Sequence, residues 1–125
     1  MAPTQKTADE LLREMSDNLG LGHEPQDWGI INADGDRLDE FVTFFQREEL
    51  LPTQRFELAD LILASANERL LEGLDVEIEL LKTLAREYDR AFTPHIEYWS
   101  GLEDEDEFPL SRLLRRTKGS SRASR

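Results

Sequence analysis

The residues that could do chemistry are few, and their spacing argues against most reactions. Two histidines, His23 and His95, stand 72 positions apart, and neither belongs to an HExxH or similar ligand pair on one helix. Each lies close to a proline (Pro25 and Pro94) and reads as a surface or capping residue, with no catalytic role expected. No GxSxG, GxxxxGK(S/T) or GxGxxG pattern occurs, so nucleophile elbows and phosphate loops have no support. The chain has no cysteine, which removes disulfides, thiolate metal sites and cysteine nucleophiles. Asn32-x-Asp34-x-Asp36 starts like a calcium loop but fails further on. Its sixth position is Arg37 where the sharp turn needs glycine, and its twelfth is Thr43 where a bidentate glutamate is needed. A helix N-terminus explains these acids better. The run Glu103-Asp104-Glu105-Asp106-Glu107 is read as flexible, offering a cation no fixed coordination geometry. Accordingly, no catalytic residue, metal or cofactor is expected.

What the sequence does offer is charge beside aromatics. Residues 112–125 hold six basic residues and no acid, so residues 1–111 hold the other nine basic residues and all twenty-seven acids, a net −18 against −12 for the whole chain. Some acids occupy first helical turns, where the helix dipole favours negative charge: Asp36, Asp39 and Glu40, then Asp75, Glu77 and Glu79. Others have no such reason. Glu48 and Glu49 fall at a helix C-terminal end, Glu68 and Glu72 are like charges at i, i+4, and the five-acid run contains no basic partner. Uncompensated charge costs stability through self-repulsion and steers cationic partners. The candidate partner-binding surface is therefore Glu97, Tyr98 and Trp99 with Glu103, Asp104, Glu105, Asp106 and Glu107, two aromatics beside a block of carboxylates. Trp99 can equally be read as a core residue closing the bundle.

The elements that must position these residues are helical. Thr7 and Glu10 fit a capping box ahead of a helix over 8–19, and Gly20 is placed for a left-handed C-cap. A loop rich in turn formers follows, in which Trp28, Ile30 and Ile31 are expected to plug one end of the core. Asp34-Gly35-Asp36 opens a second helix, whose Leu38, Phe41, Val42 and Phe45 share one face and which Pro52 stops. Thr53 is expected to cap a third helix running to about Glu72. Its two apolar stripes (Ala59, Ile62, Leu63, Ala66 and Leu70; Leu58 and Leu61) mark it as the centre of the fold. Ser65 and Asn67, inside that helix, are expected to bond backbone or face a helix junction. Gly73 ends it and Asp75 is expected to cap a fourth helix, along which Leu74, Ile78, Leu81, Ala85, Tyr88 and Phe92 form a seam. Thr93-Pro94 and Pro109 are expected to open short further helices, the latter carrying Leu110, Leu113 and Leu114. No alternating segment of useful length suggests a sheet.

The expected fold is an all-α bundle of about four to five helices, with a flexible start (1–6), one domain (7–116) and a disordered basic tail (117–125). A length of 125 residues suits one domain. No apolar run approaches the roughly 18 residues of a membrane span, and MAPTQKTADE lacks the basic and apolar regions of a signal peptide. A soluble cytoplasmic protein is expected, with no membrane and no direct nucleic-acid partner.

Segments DWGIINADGDRLDEFVTFF, LPTQRFELADLILASANERLLEG and EYWSGLEDEDEFP resemble, in size, charge and texture, the small acidic immunity proteins of bacterial contact-dependent and polymorphic toxin systems. The likeness spans residues 27–114 and carries over no particular functional residue. It implies stoichiometric inhibition of a basic toxin, such as a nuclease, by occlusion of its active site or substrate groove. The alternative is an acidic regulatory or adaptor domain that docks a basic protein or mimics nucleic acid. An enzyme built on scattered carboxylates is the third reading.

Overall fold

The computed structural model describes residues 6–115, and the architecture over them is all-α, with no strand among the described residues. The basic tail expected over 117–125 lies outside the described residues. Of the start expected to be flexible, residues 1–5 lie outside them too, while Lys6 pairs with Glu14 at 2.6 Å.

Helix α1 (Ala8–Leu19) begins where Thr7 Oγ1 accepts the Glu10 N–H at 3.1 Å and ends at Gly20, whose φ of 68° lies in the left-handed region glycine favours. A four-residue helix, α2 (Trp28–Ile31), interrupts the loop that follows. Trp28 is the plug foreseen there: it is buried, and its indole N–H donates to Ser16 Oγ at 2.8 Å and to the Gly22 carbonyl at 3.0 Å. Ile30 and Ile31 are not part of it. They are 52% and 58% exposed, because a four-residue helix has only one inner face and Trp28 with Gly29 occupies it.

Asp34 caps a single 3-10 turn (Gly35–Arg37) by accepting the Asp36 N–H, and α3 (Leu38–Arg47) follows with Leu38, Phe41, Val42 and Phe45 buried. The α3 helix ends five residues before Pro52, which instead forms the first residue of α4 (Pro52–Leu71). Proline suits that position because its missing N–H would have no helical partner. The α4 cap residue is Leu51, not Thr53: Gln54 Oε1 accepts the Leu51 N–H at 3.0 Å, and its amide crosses to the Leu11 carbonyl at 3.2 Å.

Helix α4 is the centre. Residues 58–67 are buried without interruption except at Asp60. Helices α1, α2 and α3, the 3-10 turn and α6 all pack against α4. Two glycines permit this enclosure. A Cβ on Gly29 would lie 2.9 Å from the Leu61 nitrogen, and one on Gly35 would lie 2.8 Å from the Arg69 Cα.

The seam expected as one helix is two: α5 (Ile78–Glu87) and α6 (Asp89–Ser100), broken at Tyr88 with φ −124° and ψ 53°. The break sets the Tyr88 ring edge-on to Phe45 at 4.8 Å and lets Phe92 meet Phe45 at 5.3 Å. Arg55 lies over both Phe45 (4.8 Å) and Tyr88 (4.5 Å), tying the elbow to α4. Asp75 does not cap α5, which starts after Glu77; the Asp75 carbonyl accepts from Arg69 Nε at 2.8 Å, and Leu74 is exposed. Thr93-Pro94 starts no new helix either, since Pro94 sits inside α6. A last helix, α7 (109–115), carries Leu110 and Leu114 into the core. The elbow at Tyr88 and the added α2 raise the helix count above four to five.

Candidate functional site

Tyr98 and Trp99 are consecutive on α6, so their side chains leave the helix about 100° apart. One faces out and the other in. Tyr98 is 61% exposed, and Glu97 beside it is exposed. Trp99 is 4% exposed and stacks edge-on against Phe108 with ring centroids 5.9 Å apart. It is therefore a core residue and cannot anchor a partner without unpacking. Its role is to fasten the acidic loop's far end to α6.

Hydrogen bonds join the residues of that loop, the run read from the sequence as flexible, into a defined turn. Asp104 Oδ1 accepts the N–H groups of Asp106 and Glu107, both at 3.1 Å, and the Phe108 N–H closes onto the Asp104 carbonyl at 2.8 Å. The buried Asn67 of α4 then clamps the exit. Its Nδ2 donates to the Glu107 carbonyl at 3.2 Å and its Oδ1 accepts the Leu110 N–H at 3.1 Å. From α7, Arg115 donates to the Ser100 and Leu102 carbonyls and pairs with Glu105 at 3.4 Å. Glu103, Asp104, Glu105, Asp106 and Glu107 are all exposed, and among the described residues only Glu105 has an ion pair. The five loop acids thus form a hydrogen-bonded acidic ledge, with Glu97 and Tyr98 exposed on the adjoining helix end; of the eight anticipated residues, Trp99 alone is buried. The clamps Asn67 and Arg115 were not foreseen as parts of this surface. Asn67 does behave as the junction residue expected, as does Ser65, whose hydroxyl accepts the Asp34 N–H at 3.0 Å.

A second cluster was not anticipated as a site. Asp60 of α4 faces the gap between α2 and α6, with its side chain 21% exposed. His95 of α6 places Nδ1 3.7 Å from Asp60 Oδ1. The His95 Nε2 faces the Phe56 carbonyl at 2.9 Å, and the Phe56 ring lies 4.2 Å from the imidazole. His95 is thus mostly buried, unlike the surface residue expected, whereas His23 is exposed and pairs with Asp17 at 2.6 Å. Burial pushes the Asp60 carboxyl up; His95 and the Trp99 indole N–H oppose this, and the charge of Asp27 adds to it. Glu57, one turn earlier, is also raised, first by burial and then by the charge of Asp60, with His95 opposing. The signal for this cluster was present in the sequence: Asp60 is the only charged residue in the stretch 58–67.

A groove of about 700 Å³ lies beyond Phe56, between the start of α4 and the α5–α6 elbow. Arg55 and Arg90 line it together with Glu87 and Asp89, so its charge favours no one ligand. Asn32 and Asp34 bond backbone groups: Asn32 accepts the Gly22 N–H and donates to the Trp28 carbonyl, and Asp34 caps the 3-10 turn. Comparison with protein-family models, curated proteins and solved structures finds no match for this chain.

Proposed function

We propose that this chain is a non-enzymatic protein-binding inhibitor that occludes a basic partner, acting as an immunity protein does on a cognate toxin. The observation that carries the reading is the hydrogen-bonded ledge: five exposed carboxylates on a clamped backbone, next to an exposed tyrosine. A fixed loop loses little entropy on binding, and charges at a rim raise the rate of encounter with a cationic surface. Tyrosine supplies contact area with few rotatable bonds, which suits it to an anchor. The residues with free carboxylates serve steering, and those with buried amides and indoles serve the shape of the ledge.

The test is capture of a partner from the source organism at low ionic strength, followed by purification of the complex. The reading expects a basic protein bound at a fixed stoichiometry and losing its own activity when bound. A captured partner that keeps full activity in the complex would contradict inhibition.

A further inference from the structure

The groove of about 700 Å³ at the start of α4 lies at the other end of that helix from the acidic ledge. Arg55, on its wall, and Asn67, which clamps the ledge, are twelve residues apart on α4, a rise of about 18 Å. Pro52, Phe56, Tyr88 and Ala91 give the groove apolar walls. The elbow that shapes it is held from within, because Arg55 covers the Tyr88 ring at 4.5 Å and donates to the Phe45 carbonyl at 3.0 Å. Two large apolar side chains stand exposed here: Leu51, immediately before Pro52, at 52%, and Phe56 at 38%. Apolar groups gathered around a concave surface mark a place of contact with another molecule.

The charges around the groove select which molecule. The body of the chain is strongly acidic, yet here two arginines, Arg55 and Arg90, stand against two acids, Glu87 and Asp89. Among the described residues none of the four has an ion pair. Arg55 is engaged by the Phe45 and Glu48 carbonyls, and Asp89 accepts the Thr93 hydroxyl. Glu87 and Arg90 remain, both exposed and three residues apart across the elbow. A cationic ligand would meet the arginines, and an anionic one the acids with the acidic body behind them. A patch that holds both signs side by side is instead complementary to itself. Turned about a two-fold axis, its positive group can meet the negative group of the other copy.

We propose that this face receives a second copy of the chain, in a two-fold dimer where Leu51 and Phe56 of each copy fill the groove of the other. Arg90 of one copy pairs with Glu87 of the other, and symmetry forms the reciprocal pair. A contact built on one groove and two apolar side chains is small, so the dimer is weak, with a dissociation constant on the order of 10–100 μM. The ledge, about 18 Å further along α4, stays uncovered, and the dimer presents two of them. The inference goes beyond the inhibitor reading and stands or falls without it.

Sedimentation equilibrium of the full chain tests this, at pH 7 and about 150 mM salt to screen the repulsion between two acidic copies. A monomer–dimer equilibrium is expected as the loading concentration rises to about 500 μM. Leu51→Asp should weaken it by about tenfold or more. That variant is expected to fold, since Leu51 is exposed and aspartate is a favoured residue at the helix cap it occupies. Arg90→Glu, at another exposed position, should weaken the dimer by about tenfold or more by opposing like charges. Glu87→Arg/Arg90→Glu should restore the unaltered constant to within about threefold, because the swap exchanges the signs and keeps the pairs. A chain that stays monomeric to about 500 μM would overturn the proposal. So would a dimer that either single variant leaves intact, or a swap that restores nothing. A dimer lost in Asp104→Asn/Glu105→Gln/Asp106→Asn would join the ledge of one copy to basic residues of another, and would overturn it as well.

Discussion

The side-chain amide of Asn67 donates to the backbone carbonyl of Glu107 at 3.2 Å, joining the centre of the bundle to the last residue of the acidic run. The same side chain accepts the Leu110 N–H at 3.1 Å, so one buried residue sets both the end of the loop and the start of α7. Without this clamp the loop would be held to the body by Arg115 and by its own Asp104 turn alone, with nothing tying Glu107 to α4.

Asn67→Ala is therefore expected to destabilise the fold by about 2 kcal/mol or more, because it leaves a backbone carbonyl and an N–H without partners at a largely buried junction. Urea unfolding measures the loss. Amide hydrogen exchange should quicken over 104–110 while 58–66 keep their protection rank; uniform acceleration along the chain would show that Asn67 acts only through global stability.

The approach of α2 to α4 makes a prediction at Gly29. Alanine there would bring its Cβ to 2.9 Å from the Leu61 backbone nitrogen, an atom that cannot swing aside. A loss of about 1–3 kcal/mol is expected, typical of overpacking. Gly22→Ala is the control, since its Cβ would meet only the Asn32 Oδ1 at 3.5 Å. Equal midpoints for the two variants would mean that α2 does not press on α4 as described.

Much of this architecture is legible along the chain, and the failures have local causes. The central helix is readable because Leu58, Ala59, Leu61, Ile62, Leu63 and Ala66 leave no polar face, and burial of nearly every position in 58–67 follows. The elbow at Tyr88 is not readable, because the apolar spacing continues through it to Phe92 as one unbroken helix would. Tertiary packing of Tyr88 against Phe45 and Arg55 decides the break. Ile30 and Ile31 mislead because hydrophobicity does not say which side of a four-residue helix meets the core. Tyr98 and Trp99 are adjacent, so one must face out, but composition does not tell which. The site itself was half visible. Its acids announce themselves in a row, while Asp60 and His95 lie on different helices and meet only through the packing of α4 on α6.

Asp60 makes a pH prediction whose sign follows from burial. Its carboxyl is raised in the folded state, so the folded chain holds the proton at pH values where the unfolded chain has released it. Stability from this group therefore falls as pH rises from the unfolded value through the raised folded value, and the penalty is complete above it. Asp60→Asn should melt at a higher temperature than the unaltered chain at pH 7. The gap should narrow as pH falls and Asp60 takes up its proton. A gap that widens on acidification would reverse the assignment and make Asp60 a stabilising ion-pair member.

The central claim is that the ledge steers a basic partner while Tyr98 holds it. Binding kinetics of the captured partner, measured across a range of ionic strength, test this most directly. Asp104→Asn/Glu105→Gln/Asp106→Asn should associate more slowly than the unaltered chain at low salt and show a shallower salt dependence, with dissociation nearly unchanged. Tyr98→Ala should keep its association rate and dissociate faster, by an amount equivalent to about 2 kcal/mol, a roughly thirtyfold change. An association rate for the neutralised ledge equal to that of the unaltered chain at low ionic strength would contradict the account.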